Sequence, residues 1–299
     1  MKSKIERNLA LFTILVILIG LFQIMGIYPN SILEKREGSF DKMILKTSKI
    51  SPKIHINDNW SDAKALGICT GEGTFSNPYV IKDLIIDGGG SGNCIFIQNS
   101  DFYFRIENCT LYNSGNYIVM TPFGAGITLL EVQNAIIFNN NCTSNAIGIY
   151  LVESESNEIK GNFVYDNDLY GILQYRNCMY NNVSGNILEN NKDHGIILVY
   201  SDYNAISDNM INNNTGSGIY LYGSNYNLII RNTIQGNDQC ITEEDSRYNI
   251  FKDNIYCDYG EVVQDYNYYI LFLLGTLTFV LTITNIFLNI KDKIHKSKE

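Results

Sequence analysis

Eight residues have the types and spacing to act on a substrate. Glu131, Glu153 and Arg176 recur at one phase of the chain, and Glu155 lies beside them. Asp166, Asp168, Asp193 and His194 fall in neighbouring segments. Such groups serve two chemistries. Glycoside hydrolysis needs two carboxyls about 5–10 Å apart in different protonation states. Polysaccharide lyases need carboxylates that hold a cation and a base that takes the proton. Solvated turns and surface ion pairs account for the same residues equally well. Glu243, Glu244 and Asp245 form a second acidic group, readable as a cation or acid site or as charges that blunt a strand edge. There is no phosphate loop, no CxxC, no Ser/His/Asp elbow and no GGxGxD calcium repeat.

The elements that position these residues repeat. Gly126-Ile127, Gly148-Ile149, Gly171-Ile172, Gly195-Ile196, Gly218-Ile219 and Cys240-Ile241 are spaced by 22, 23, 24, 23 and 22 residues. Cys94-Ile95 stands 32 residues before the first of them, the difference being an insertion within Gly115–Ala125. Asn pairs keep phase at Asn157/Asn162, Asn181/Asn186, Asn204/Asn209, Asn227/Asn232 and Asn249/Asn254. A further column is Asn113, Asn145, Asn167, Asn191, Asn214 and Asn237, and a Ser column is Ser154, Ser201, Ser224 and Ser246. Apolar residues alternate between landmarks, as in Ile219 and Leu221, which is a strand pattern. A repeat this short cannot hold a helix crossover. It suits one coil of a parallel β-solenoid, in which stacking buries a core that no single coil could bury. Asn suits the corners because it tolerates a left-handed backbone and because its amide can form a ladder between coils.

Outward positions in the strands read Phe96, Tyr150, Leu173, Ile197 and Tyr220, then Leu130, Val152, Tyr175, Val199 and Tyr222. An apolar stripe of this kind is expected to contact something: a segment of the same chain, a partner, or a glycan. Tyr180, Tyr203, Tyr226 and Tyr248 form a second aromatic column just before turn asparagines, readable as a structural stack or a sugar platform. The ligand-binding candidates are therefore Tyr150, Tyr175, Tyr220, Tyr222, Tyr180, Tyr203, Tyr226 and Tyr248. Asp58–Gly67 reads as a short helix capped by Ser61 or Asp62, with Trp60 covering the first coil. Cys94, Cys178 and Cys240 read as small buried residues. Cys69, Cys109, Cys142 and Cys257 are candidates for pairing, Cys109 with Cys142 in particular.

Two segments fall outside the solenoid. Basic Lys2, Lys4 and Arg7 precede the apolar run Leu9–Ile27, and Tyr269–Ile290 is uncharged, with tyrosines before it and lysines after it. Both read as membrane helices, the first an anchor or a cleaved signal. The basic flanks place the middle of the chain outside the cell. The expected organisation is 1–28 signal-anchor or signal peptide, 29–55 linker, 56–93 N-terminal cap and first coil, and 94–260 coils. A juxtamembrane segment 261–268, a transmembrane helix 269–290 and a basic cytoplasmic tail 291–299 follow. The chain has 31 acidic and 22 basic residues, a net charge of −9, and Gly71–Gly260 holds 21 against 8. That balance argues against nucleic acid or anionic lipid as a partner. Sequons at Asn59, Asn108, Asn141, Asn182 and Asn213 are candidate glycosylation sites.

The coil pattern GI-x-L…S-x-x-N-x-I-x-x-N-x-[IVL]…N resembles the right-handed parallel β-helix repeats of the NosD-like family, which overlaps the CASH class of carbohydrate-binding and sugar-hydrolysing proteins. Asn59–Ile97 is similar to the opening segment of such proteins in archaeal cell-surface sets. The resemblance spans roughly 56–258. It implies an all-β, pectin lyase-like solenoid of about seven coils between two membrane helices. Galacturonase-like hydrolases of this fold carry an Asp pair, a Gly-His-Gly and an Arg-Ile-Lys. Here only "DHG" at Asp193–Gly195 is found. The family name implies copper, which needs clustered His, Cys or Met. With 3 His in the chain, copper handling is not carried over. The resulting expectation is a membrane-anchored extracytoplasmic module that binds carbohydrate or acts as a scaffold, with no cofactor. The alternatives are a polysaccharide lyase or glycoside hydrolase, with calcium if a lyase, and a structural envelope protein with a protein partner on its apolar stripe.

Overall fold

The structure is a computed structural model that describes residues 48–115 and 124–255. These form a right-handed parallel β-solenoid of three sheets, each of eight strands paired in parallel, which gives the expected stack of about seven coils. Sheet 1 runs from Lys49–Ser51 to Thr233–Gln235, sheet 2 from Ile54–Asn57 to Gln239–Glu244, and sheet 3 from Tyr79–Lys82 to Ile250–Lys252. Each strand pairs with its equivalent one coil on, so Ile149, Ile172, Ile196 and Ile219 stand in one row. Period-2 alternation sends this row and the Leu129, Leu151, Leu198, Leu221 row into the core, where all are fully buried. The two membrane-helix segments lie outside the described residues, and among the described residues no helix is long and apolar enough to cross a membrane.

The glycine column is explained by close approach. A Cβ at Gly195 would meet Ile211 Cγ2 at 2.5 Å, Gly218 O at 2.7 Å and Asn214 Nδ2 at 3.0 Å. Sheet 2 begins here, close against the inward residue of sheet 1 in the next coil. The asparagines form three buried ladders, one per corner. The Asn186 amide donates to Asn209 Oδ1 (3.0 Å) and to Ile159 O (2.8 Å), and it accepts from the Asn162 N–H and Nδ2, both at 2.9 Å. Asn167–Asn191–Asn214–Asn237 repeats this pattern. Asn113 is not a member of that ladder; Ser114 takes its position and its N–H donates to Asn145.

One expectation about the corners is corrected. None of the ladder asparagines has a left-handed backbone. The residue before each one does: Asp208 (φ 57) before Asn209, Asn213 (φ 53) before Asn214, and Tyr203 (φ 58) before Asn204. The left-handed residue turns the chain so that the next side chain points inward, where its amide satisfies backbone groups that the corner would orphan.

At the N-terminal end, helix α1 (Trp60–Ala65) inserts between the first strands of sheets 2 and 3. Trp60 is buried there as expected. It stacks on Tyr79 at 4.8 Å and donates to Ser100 Oγ at 2.8 Å. The N-cap is Asn59, not Ser61 or Asp62, which lie within the helix. At the other end, Glu243 occupies the Leu221 register position, and its carboxylate accepts from Asn249 Nδ2 at 2.7 Å. It ends that asparagine ladder by supplying the acceptor a further coil would provide. Cys69, Cys94, Cys109, Cys142 and Cys178 are free and buried, so Cys109 and Cys142 form no bridge. Cys240 is not a simple buried residue: it is disulfide-bonded.

Candidate functional site

The acid–base candidates do not gather into one site. Glu131, Glu153 and Arg176 keep the same register at the end of sheet 2, Glu131 within its strand and the other two just after theirs. All three are exposed, left-handed corner residues with φ of 55, 46 and 54°. Arg176 lies over the Tyr175 ring at 4.9 Å. Glu155 is half-buried in the following turn. Asp166 is an exposed left-handed corner, and Asp168 is paired with Lys192 at 2.5 Å. Glu243 and Glu244 are neighbours on one strand and so point to opposite faces. Among the described residues no three His, Cys, Asp or Glu side chains come together to hold a metal ion.

Asp193 and His194 belong to a different constellation, on the outer face of sheet 2. The His194 imidazole is sandwiched between Tyr170 (5.9 Å, 4° between ring planes) and Tyr220 (4.6 Å, 2°). Its Nδ1 accepts the Ser217 N–H at 2.8 Å, and Nε2 is 3.4 Å from Asp193 Oδ1. Burial, opposed by Asp193, pushes the imidazole pKa below its ordinary value. Burial and the hydrogen bond to Glu244 push the Tyr220 phenol up to about 12. The sequence shows Asp193, His194 and Tyr220 separately; Tyr170 and Glu244 complete the group only through the coil stacking.

The expected outer stripe on sheet 2 is corrected in part. Tyr150, Leu173 and Ile197 are 3–5% exposed and form a second apolar cluster with Ala125 and Ile147. Tyr150 therefore offers no surface to a ligand. Tyr175, Tyr220 and Tyr222 are half-buried, and Tyr222 packs edge-on to Tyr200 at 5.4 Å.

The exposed aromatic surface is the other column. Tyr180, Tyr203, Tyr226 and Tyr248 are 45–67% exposed and stack at 5.5, 5.1 and 5.0 Å, with planes within 17°. Each has a left-handed backbone, φ 56–61°. Two residues beyond, on the outer face of sheet 3, stand Leu228 (37% exposed) and Ile250 (47%), in register with Ala205 and Asn182. None of these four phenol hydroxyls has a hydrogen-bond partner among the described residues. The apolar neighbours were not apparent in the sequence, where sheet 2 drew attention instead. Of the sequon asparagines, Asn59, Asn182 and Asn213 are exposed, while Asn108 and Asn141 are half-buried.

Comparison with known proteins places the chain. Residues 70–267 match the family model described as periplasmic copper-binding protein (NosD). Among solved structures it is similar to two point mutants of the periplasmic alginate epimerase AlgG. One is 16% identical, with 67% of this chain and 55% of that chain covered and a TM-score of 0.51. The other is 17% identical, with coverage of 68% and 55% and a TM-score of 0.50. The A-module of the Azotobacter vinelandii mannuronan C-5 epimerase AlgE4 matches at 13% identity, covering 60% and 69%, with a TM-score of 0.43. The chain thus spans about half the length of the AlgG structures, and the likeness is one of fold. No curated protein matches the chain. The copper in the family description finds no fitting donor set among the described residues. His55 sits on the first sheet 2 strand, His194 lies several coils away between tyrosines, and the free thiols are buried. With the family model matching well over half its length, the chain belongs to the NosD family of extracytoplasmic β-helix proteins.

Proposed function

We propose that this solenoid is an extracytoplasmic saccharide-binding module whose binding strip is the ladder Tyr180–Tyr203–Tyr226–Tyr248 with the adjoining face of sheet 3. Membrane tethering through Leu9–Ile27 and Tyr269–Ile290 belongs to the same proposal. The observation that carries it is the choice of exposed tyrosine at four successive corners. A bulky residue in the left-handed region costs about 1–2 kcal/mol, and there are four of them. Three ring stacks return about 0.5–1.5 kcal/mol each, which at mid-range values offsets only about half of that cost. Earlier coils close the same corner with Asn134 and Ser156, at φ 61 and 57°. The corner requires a left-handed backbone but not tyrosine, so four exposed, stacked aromatics at it point to use by a ligand. The reading needs no cofactor. The test is glycan binding by the full-length chain, with Tyr203→Asn and Tyr226→Asn lowering affinity. Undiminished binding by both variants would sink it.

A second reading, a polysaccharide lyase or hydrolase, is favoured by one feature: His194 with Asp193, beside the Tyr220–Glu244 pair. It calls for new reducing ends or unsaturated products from the bound polysaccharide, with calcium required in the lyase case. Binding without products in either condition removes it.

A further inference from the structure

We infer that the ligand of the tyrosine strip is an uncharged glycan chain lying parallel to the solenoid axis, and that polyuronates are excluded. This rests on the saccharide-binding reading above. The orientation comes from the stack itself. The rings lie within 17° of parallel, so each covers the face of the next. What the ladder offers outward is a row of ring edges and phenol hydroxyls, one per coil, each able to donate and accept. A ligand that uses every hydroxyl must repeat along the same direction with a similar period. An extended chain of pyranose rings does so, and it also presents the C–H surface that suits Leu228 and Ile250.

The absence of charge follows from what surrounds the row. The segment Gly71–Gly260 has 21 acidic residues against 8 basic ones. Two cations near the strip are engaged already. Arg231 holds Asp208 through two bonds, at 2.8 and 2.7 Å, and Lys160 is paired with Glu158 at 2.5 Å. Arg247 and Lys252 are confined to the last described coil, next to Asp245 and Asp253. The Asp202 carboxylate, beside Tyr203, accepts from the Asn225 N–H at 2.6 Å and its Nδ2 at 3.3 Å. A polyuronate would set one carboxylate per ring against this acidic surface with no row of guanidinium or ammonium groups to receive them.

The test titrates the full-length chain with neutral hexaoses of glucose, mannose and galactose, and with hexaoses of galacturonate and mannuronate. At low ionic strength at least one neutral hexaose is expected to bind about 10-fold or more tighter than either uronate, the gap narrowing as salt screens the surface. The double variant Tyr203→Asn/Tyr226→Asn is expected to lose about 10-fold or more in neutral-hexaose affinity while its urea midpoint shows it folded. Binding of uronates alone overturns this inference and leaves the saccharide-binding reading standing. Neutral binding unchanged in the folded double variant overturns the assignment to the strip. No binding by any hexaose overturns both.

Discussion

Asn186→Ala tests the physical core of the fold. The asparagine side chain is fully buried and bridges two coils. Its Oδ1 receives the Asn162 N–H at 2.9 Å, and its Nδ2 donates to Ile159 O at 2.8 Å. Alanine leaves that N–H and that carbonyl without these partners. The Asn162 amide keeps its bonds to Ile137 O (3.0 Å) and Lys160 O (3.2 Å), so it loses less. Each orphaned buried group costs about 1–3 kcal/mol, which sets the loss near 2–6 kcal/mol. A typical domain has only about 5–15 kcal/mol to lose. Asn182→Ala, exposed four residues earlier, is the control and should stay within about 0.5 kcal/mol of wild type. Urea unfolding followed by circular dichroism reads both. If Asn186→Ala costs no more than Asn182→Ala, the ladders do not hold the coils together and the argument for the corners fails.

Other outcomes follow from the same geometry. Gly195→Ala places a Cβ 2.5 Å from Ile211 Cγ2 and should destabilise by about 1–3 kcal/mol in the same assay, although the backbone there is not left-handed. The folded His194 pKa lies below the ordinary 6.5, so the unfolded chain takes up the proton first. Its contribution to stability is therefore complete above pH 6.5 and is lost as pH falls from there toward the folded value, with a slope of at most about 1.4 kcal/mol per pH unit. His194→Gln should remove that slope from a pH series of unfolding curves. Burial pushes the Cys109 thiol up to about 12 and Cys142 higher than an ordinary thiol. The five free buried thiols should react with a disulfide reagent only after denaturation, and rapid reaction in the native state would contradict their burial.

Much of the coil was legible because identical positions repeat the same demand. Gly148, Gly171, Gly195 and Gly218 answer one close approach, and Asn162, Asn186, Asn209 and Asn232 answer one orphaned corner. The left-handed positions were not legible. They share a backbone conformation and not a residue type, running Asn134, Ser156, Tyr180, Tyr203 in one column. The ladder asparagines one place later therefore drew the attribution. The outer surface misled for a related reason. Alternation shows that Tyr150, Leu173 and Ile197 leave the inner core, but not that they enter a second apolar cluster. The exposed surface at Leu228 and Ile250 consists of single residues in separate coils, which only the stacking makes contiguous.

The central claim is that the four tyrosines are held at a strained corner to meet a ligand and not to hold the fold. Measuring stability and glycan affinity together on Tyr203→Asn/Tyr226→Asn tests it most directly. Relief of two left-handed aromatics offsets the loss of the stacks, so the urea-unfolding free energy should stay within about 1 kcal/mol of wild type. Glycan affinity should fall about 10-fold or more. A markedly destabilised variant with intact glycan binding would contradict the account.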